Sequence, residues 1–361
     1  MPRNPRHLRS FISPYKLTGF QLHRQYCTGR TAISQFLNSL TSLIRRPQHH
    51  HNLHRHGQRI KAFTTPQDLN QFIRSKMADA EYEPGTEEAA KAFLKLQEKL
   101  QTDLETQQRA QELVLNIQDI RASISAAKAG AGTHRRGGDE VVLIAVSKLK
   151  PASDIVALHA TGGQTHFGEN YVQELWKKHA ILPSTISWHF IGSLQSSAVS
   201  KLAKIENLYA VHSIDSVKKV LALNRLRPDG FPILNVFVQV NTSGEKSKSG
   251  VDPDGDDLWD IVGVIRKECP KLRLMGLMTI GAIARSQAAK EGEENEDFAR
   301  LVKVAEGLEQ RIESEEGEKV ELKLSMGMSD DFPGAITMGA GYVRVGSSIF
   351  GARPSKAEAS I

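Results

Sequence analysis

The chain has 361 residues, 40% of them hydrophobic, a formal net charge of +6 and two cysteines. That length carries a sizeable core as one large domain or two ordinary ones; no apolar run approaches the roughly 18 residues of a membrane span, and Cys27 and Cys269 suit neither a disulfide framework nor a metal cluster. The charge is uneven: residues 1–67 hold 11 of the 47 Lys and Arg and no Asp or Glu, leaving 36 basic against 41 acidic side chains, a net of −5, in residues 68–361, which argues against a nucleic-acid-binding body.

Residues 1–76 read as a basic, acid-poor extension preceding a folded body over 77–361. The extension is Arg-rich and Ser-containing, the composition of a transit peptide. Leu37, Leu40, Leu43 and Ile44 beside Arg45 and Arg46 suit an amphipathic turn or two. A disordered tail has the same composition, and Met77 could open a shorter protein, so cytoplasmic and mitochondrial residence both stay open. Seven of the 13 histidines lie in this segment, mostly in His49–His56, without the spaced acidic or Cys ligands of a metal site.

From Glu87 to Ala127 apolar residues recur mostly at spacings of three and four, which predicts a helix. Gly130–Gly138 ends it as a surface loop. Short apolar segments then alternate with helical ones. Strands are predicted at Val141–Val146, Thr165–Phe167, Ser187–Ile191, Leu208–Val211, Leu234–Val240, Leu272–Met278, Glu321–Leu324 and Tyr342–Val345. Helices are predicted from Pro151 to His159, over Asn170–His179, Ser196–Ile205, Asp215–Leu226, Leu258–Lys267, Phe298–Ile312 and Phe332–Met338. Eight strands, nearly all followed by a helix, imply parallel βαβ units and an α/β fold, a single (β/α)8 TIM-type barrel preceded by an N-terminal helix. A doubly wound sheet is the alternative; it would carry a Gly-rich turn after strand one, where Ser-Lys-Leu-Lys-Pro stands instead. Glu291–Glu296 reads as a solvated loop insertion, and Gly244–Gly255 as a mobile or substrate-facing loop.

Barrel sites gather at the C-terminal strand ends. Strand one ends Ala145-Val146-Ser147-Lys148. A lysine there is partly desolvated, which favours the neutral amine that attacks an aldehyde; on position alone a surface lysine is the ordinary reading. Strand seven ends Ser325-Met326-Gly327-Met328-Ser329-Asp330 and strand eight Arg344-Val345-Gly346-Ser347-Ser348. Small and hydroxyl-bearing turns after strands seven and eight suit a phosphate, although each alone is an ordinary turn with a helix cap, Ser329 being a natural N-cap. His189 is either a base or a satisfied core histidine. No Ser-His-Asp order, metalloprotease His-Glu-x-x-His or P-loop motif is present, and no metal site is expected.

Phe167-Gly168-Glu169-Asn170-Tyr171-Val172-Gln173-Glu174, Trp188-His189-Phe190-Ile191-Gly192, Val240-Asn241-Thr242-Ser243-Gly244-Glu245, Met275-Gly276-Leu277-Met278 and the ends of strands one, seven and eight lie in order over about residues 90–354. Together they resemble the pyridoxal phosphate homeostasis proteins. The resemblance implies a barrel like the N-terminal domain of alanine racemase, with pyridoxal 5′-phosphate (PLP) held as a Schiff base on Lys148. It implies that the turns at Ser325 and Met326 and at Gly346 and Ser347 hold the phosphate, that Arg344 faces the pyridine nitrogen, and that Asn170 lies beside the ring. One departure is visible: where the family has His and Asn in the loop after strand three, this chain reads Gly192-Ser193-Leu194-Gln195-Ser196-Ser197.

The implied role is storage, delivery or control of PLP within vitamin B6 homeostasis, with apo PLP-dependent enzymes as partners. Arginine stays protonated, so opposite the ring nitrogen it leaves that nitrogen without a proton and weakens the cofactor as an electron sink; efficient catalysis is not expected. The chain ends ten residues after Gly351, without a second domain to supply the partner tyrosine that alanine racemases use, so a monomer is expected. A slow amino-acid racemase is the alternative function, and a sugar-phosphate isomerase or lyase, which would show no chromophore, a third.

Overall fold

The computed structural model describes residues 84–131, 136, 140–245, 248–282 and 294–352. The basic extension, its histidine run, most of the Gly130–Gly138 loop and Glu291–Glu293 lie outside the described residues. The described part opens with α1 (Glu87–Thr102) and α2 (Leu104–Gly130), followed by β1 (Val142–Val146), α3 (Ala152–Ala160), β2 (His166–Glu169), α4 (Val172–Ile181), β3 (Ser187–Phe190) and α5 (Val199–Ala203). It continues with β4 (Leu208–Ile214), α6 (Val217–Leu226), β5 (Leu234–Gln239), α7 (Asp256–Glu268), β6 (Leu272–Met278) and α8 (Glu296–Glu316). β7 (Lys323–Ser325), α9 (Phe332–Thr337), β8 (Ala340–Val345) and α10 (Ser347–Phe350) complete it.

The eight strands form a closed parallel barrel in sequence order, β8 pairing back onto β1 with Ile144 level with Arg344 and Ala145 level with Val345. Closure excludes the doubly wound sheet. The strands are short and β-branched, and β4, β5 and β8 are buried almost throughout, as strands covered on both faces must be. Most of the core lies between barrel and helices. Inside the barrel a smaller group, Ile144, Val146, Ala210, Phe237, Met278 and Tyr342, shares the space with buried polar side chains.

Three boundaries differ from the sequence reading in ways that matter to the site. The single N-terminal helix is two, because Asp103 leaves helical geometry and its carboxylate accepts from the Thr106 N–H at 2.9 Å, an N-cap. β2 runs on through Gly168 and Glu169, which places Glu169 in the barrel wall. β7 reaches Ser325, so that residue is strand and not turn. The loop after β5 folds back on its own strand: Asn241 N–H donates to Val251 O and Val251 N–H to Gln239 O, both at 2.9 Å.

Candidate functional site

The backbone after β1 is unusual. Leu149 has φ +60, a left-handed conformation costing about 1–2 kcal/mol for a side chain of this kind. Three buried groups hold it there. The Leu149 N–H donates to Glu174 Oε1 at 2.7 Å, Lys178 Nζ donates to Ser147 O at 2.8 Å, and the Ser147 hydroxyl donates to Glu169 Oε1 at 2.6 Å. Lys178 also donates to Glu169 and Glu174, each at 2.6 Å. Two carboxylates thus share one ammonium, and burial raises the Glu169 pKa. Lys150 closes the other side, its ammonium donating to Phe350 O at 2.9 Å and to Ala352 O at 2.8 Å. Lys148 sits half-buried in the middle of this braced turn.

Asn170 follows the end of β2. Its Oδ1 is buried and has no hydrogen-bond partner, a costly state unless a ligand supplies a donor. The backbone of the next strand end presses on it: a Cβ at Gly192 would stand 1.9 Å from Asn170 O, so only glycine fits.

Arg344 projects from β8 into the barrel with 5% of its surface exposed. It donates from Nη1 to Ser325 Oγ and from Nη2 to Thr279 O, both at 2.8 Å. Burial pulls its pKa down to about 10, which leaves it cationic at neutral pH. Among the described residues it makes no ion pair. Asp331 is the carboxylate that acts on its charge.

The strand ends that hold Arg344 also build a small-residue cradle. Gly327 has φ +89, and a Cβ there would meet Ala335 Cβ at 2.6 Å. The Gly346 N–H donates to Ser329 Oγ at 3.2 Å, which stitches the turn after β7 to the turn after β8. Ser329 is therefore a link between turns; the N-cap position of α9 belongs to Asp331, whose Oδ1 accepts from the Met328 N–H at 2.6 Å. Gly346 lies against β1, where a Cβ would stand 3.4 Å from Val146 O. Ser347 is exposed at the start of α10, while Met326 is buried, its N–H donating to Tyr342 O at 3.1 Å.

The residues singled out in the sequence therefore fall into two groups. Lys148, Asn170, Gly346 and Ser347 stand at the barrel mouth on adjoining strand ends; Ser325, Met326 and Arg344 lie deeper. The Ser325 hydroxyl is engaged by Arg344 and by His212, whose Nδ1 is 2.9 Å away. His189 is a core histidine in the barrel interior, 0% exposed. Sequence reasoning missed Glu169, Glu174 and Lys178 as a unit, although the i,i+4 spacing of Glu174 and Lys178 on one helix was a signal. It also missed His212 and His166, which stand 23 residues either side of His189, one βα unit apart.

The arrangement suits a flat aldehyde with an anionic tail. A half-buried amine on a fixed turn, a buried amide beside it, a buried cation and a glycine-lined cradle are groups that suit PLP. Residues 116–354 match the family described as alanine racemase, N-terminal domain. The pyridoxal phosphate homeostasis protein of Schizosaccharomyces pombe is 44% identical over 219 residues, 61% of this chain and 87% of the relative. That of Pseudomonas aeruginosa is 42% identical over 246 residues, 68% of this chain and 97% of the relative. Among solved structures, PipY of Synechococcus elongatus with PLP bound is 30% identical with a TM-score of 0.51, covering 66% of this chain and all of that one.

Proposed function

Because the chain belongs to the alanine racemase N-terminal domain family, and within it to the pyridoxal phosphate homeostasis proteins, we propose that it binds PLP as a Schiff base on Lys148 and takes part in intracellular PLP homeostasis. The observation that carries this reading is the pairing of the braced Lys148 turn with a buried Arg344 that makes no ion pair among the described residues, on the neighbouring strand. In this reading Asn170 lies beside the cofactor ring, Arg344 faces the ring nitrogen, and the strand end at Ser325–Met326 and the Gly346–Ser347 turn line the phosphate position. When bound, PLP supplies an aldehyde for the lysine and an electron sink whose strength depends on a proton at the ring nitrogen.

The chain's own groups set how far that chemistry goes. Arg344 is a donor at any physiological pH and offers the ring nitrogen no proton to keep. With an arginine at that position, the site favours holding the cofactor over carbanion chemistry. Release to apo PLP-dependent enzymes is the use that such a site supports, and a monomer suffices for it. The basic residues of 1–67 support targeting to mitochondria, which a fusion of that segment to a fluorescent protein tests.

The decisive comparison is equilibrium dialysis of PLP with the wild-type chain and Lys148→Ala. Wild type retains the cofactor with a visible absorption band. Lys148→Ala loses both. Retention of the band by the variant contradicts the assignment, and steady racemisation of single amino acids by wild type favours an enzyme.

A further inference from the structure

Behind Arg344 a line of hydrogen bonds crosses the barrel interior from β8 to β2. Arg344 Nη1 donates to Ser325 Oγ at 2.8 Å; Ser325 Oγ is 2.9 Å from His212 Nδ1; His212 Nε2 is 2.9 Å from His189 Nδ1; His189 Nε2 is 2.8 Å from His166 Nδ1. Five side chains from β8, β7, β4, β3 and β2 are joined without a gap. Ser325, His189 and His212 are fully buried.

Donor chemistry fixes the order of protons along this line. Arginine only donates, so Ser325 Oγ accepts from it. Among the described residues the only other side-chain partner of that hydroxyl is His212 Nδ1. Were His212 to donate from Nδ1, the buried hydroxyl proton would have no acceptor, at a cost of about 1–3 kcal/mol. The hydroxyl therefore donates to Nδ1, and the His212 proton sits on Nε2. His189 must then accept at Nδ1 and donate from Nε2, and His166 accepts at Nδ1 in turn. The surroundings keep the imidazoles in place and neutral: Phe237 stacks on His212 at 4.3 Å between centroids, and Tyr209 and Tyr342 close the sides.

We infer that Ser325, His212, His189 and His166 form a one-directional positioning relay, every bond donated away from Arg344, which holds the guanidinium at the floor of the site. A hydroxyl that donates into such a chain is a better acceptor for Arg344, because hydrogen bonds in series polarise one another. None of the three histidines touches the cofactor position in this reading; they act through Arg344. Only the consequence for PLP rests on the proposed function; the order of the protons does not.

The first test uses the full chain without cofactor, with 15N-labelled histidine and long-range 1H–15N correlation at neutral pH. All three imidazoles are expected as neutral Nε2–H tautomers. An Nδ1–H tautomer or an imidazolium at His212 or His189 overturns the relay. The second test follows PLP release and the pH dependence of its absorption band. His212→Leu, which leaves the serine proton without an acceptor, releases PLP about tenfold faster, the value of one buried hydrogen bond. His212→Asn, which returns an acceptor at the Nδ1 position, recovers most of the wild-type rate and band titration. Equal behaviour of folded His212→Leu and wild type overturns the link to Arg344. A wild-type chain that binds no PLP overturns the proposed function alone, and the tautomer result stands apart from it.

Discussion

Leu149 illustrates how the site is held at the scale of single residues. Its positive φ is unfavourable, yet its N–H is anchored on Glu174, which is itself tied to Lys178 and through it to Glu169 and Ser147 O. Removing the shared cation leaves two buried carboxylates facing one another, and Lys178→Met is expected to destabilise the chain by about 3–5 kcal/mol in urea unfolding. Glu174→Gln keeps an acceptor for Leu149 and is expected to cost less than Glu174→Ala, a difference the same measurement reads. Gly192→Ala tests the other wall of the site. Its methyl group would stand 1.9 Å from Asn170 O, so Asn170 must shift, and PLP retention is expected to fall in dialysis while the fold persists. Lys148, Asn170 and Arg344 were singled out in the sequence through family motifs. The brace was not, because Glu169, Glu174 and Lys178 come together only when β2 extends through Glu169 and turns it inward.

Among the elements, α1 and α2 show where periodicity loses information. The spacing of four from Leu100 to Leu104 carries the helical pattern across Asp103, so the pattern alone predicts one helix, although Leu104 is exposed. Asp103 separates them by capping α2 through Thr106. Asp103→Ala is expected to lower stability by about 1 kcal/mol, measured by thermal or urea unfolding, whereas Ile117→Ala in the buried stripe costs about 2–5 kcal/mol. The strands fared better: all eight were legible as short apolar runs, and the errors lie at their ends, where the site is. Ser325 belongs to a strand because its backbone continues the ladder, with the Thr279 N–H donating to its carbonyl at 3.2 Å.

Over the whole molecule, buried titratable groups set the response to pH. Burial lowers the pKa of His179 to about 4 and holds His189 and His212 well below the usual imidazole value of 6.5. The unfolded chain binds protons at these sites below about pH 6.5 while the folded chain does not, so their contribution is full above that pH and falls as pH drops. Glu169 acts oppositely: its raised pKa keeps a proton that the unfolded chain has lost, so its contribution weakens as pH rises above about 4.5. Three imidazoles outweigh one carboxyl, and the urea midpoint is expected to be lower at pH 5 than at pH 7. The closed barrel was legible from alternation alone, because eight βα units in succession have few other ways to cover both faces of every strand. Its polar interior was not, since the three relay histidines come from three different strands and meet only when the barrel closes.

Borohydride reduction of the PLP-loaded protein, followed by peptide mapping, reads out which amine holds the aldehyde. The visible band is expected to disappear, with the reduced cofactor fixed on the peptide that carries Lys148. Label on another lysine, or no label on a protein that retains the cofactor, would contradict it.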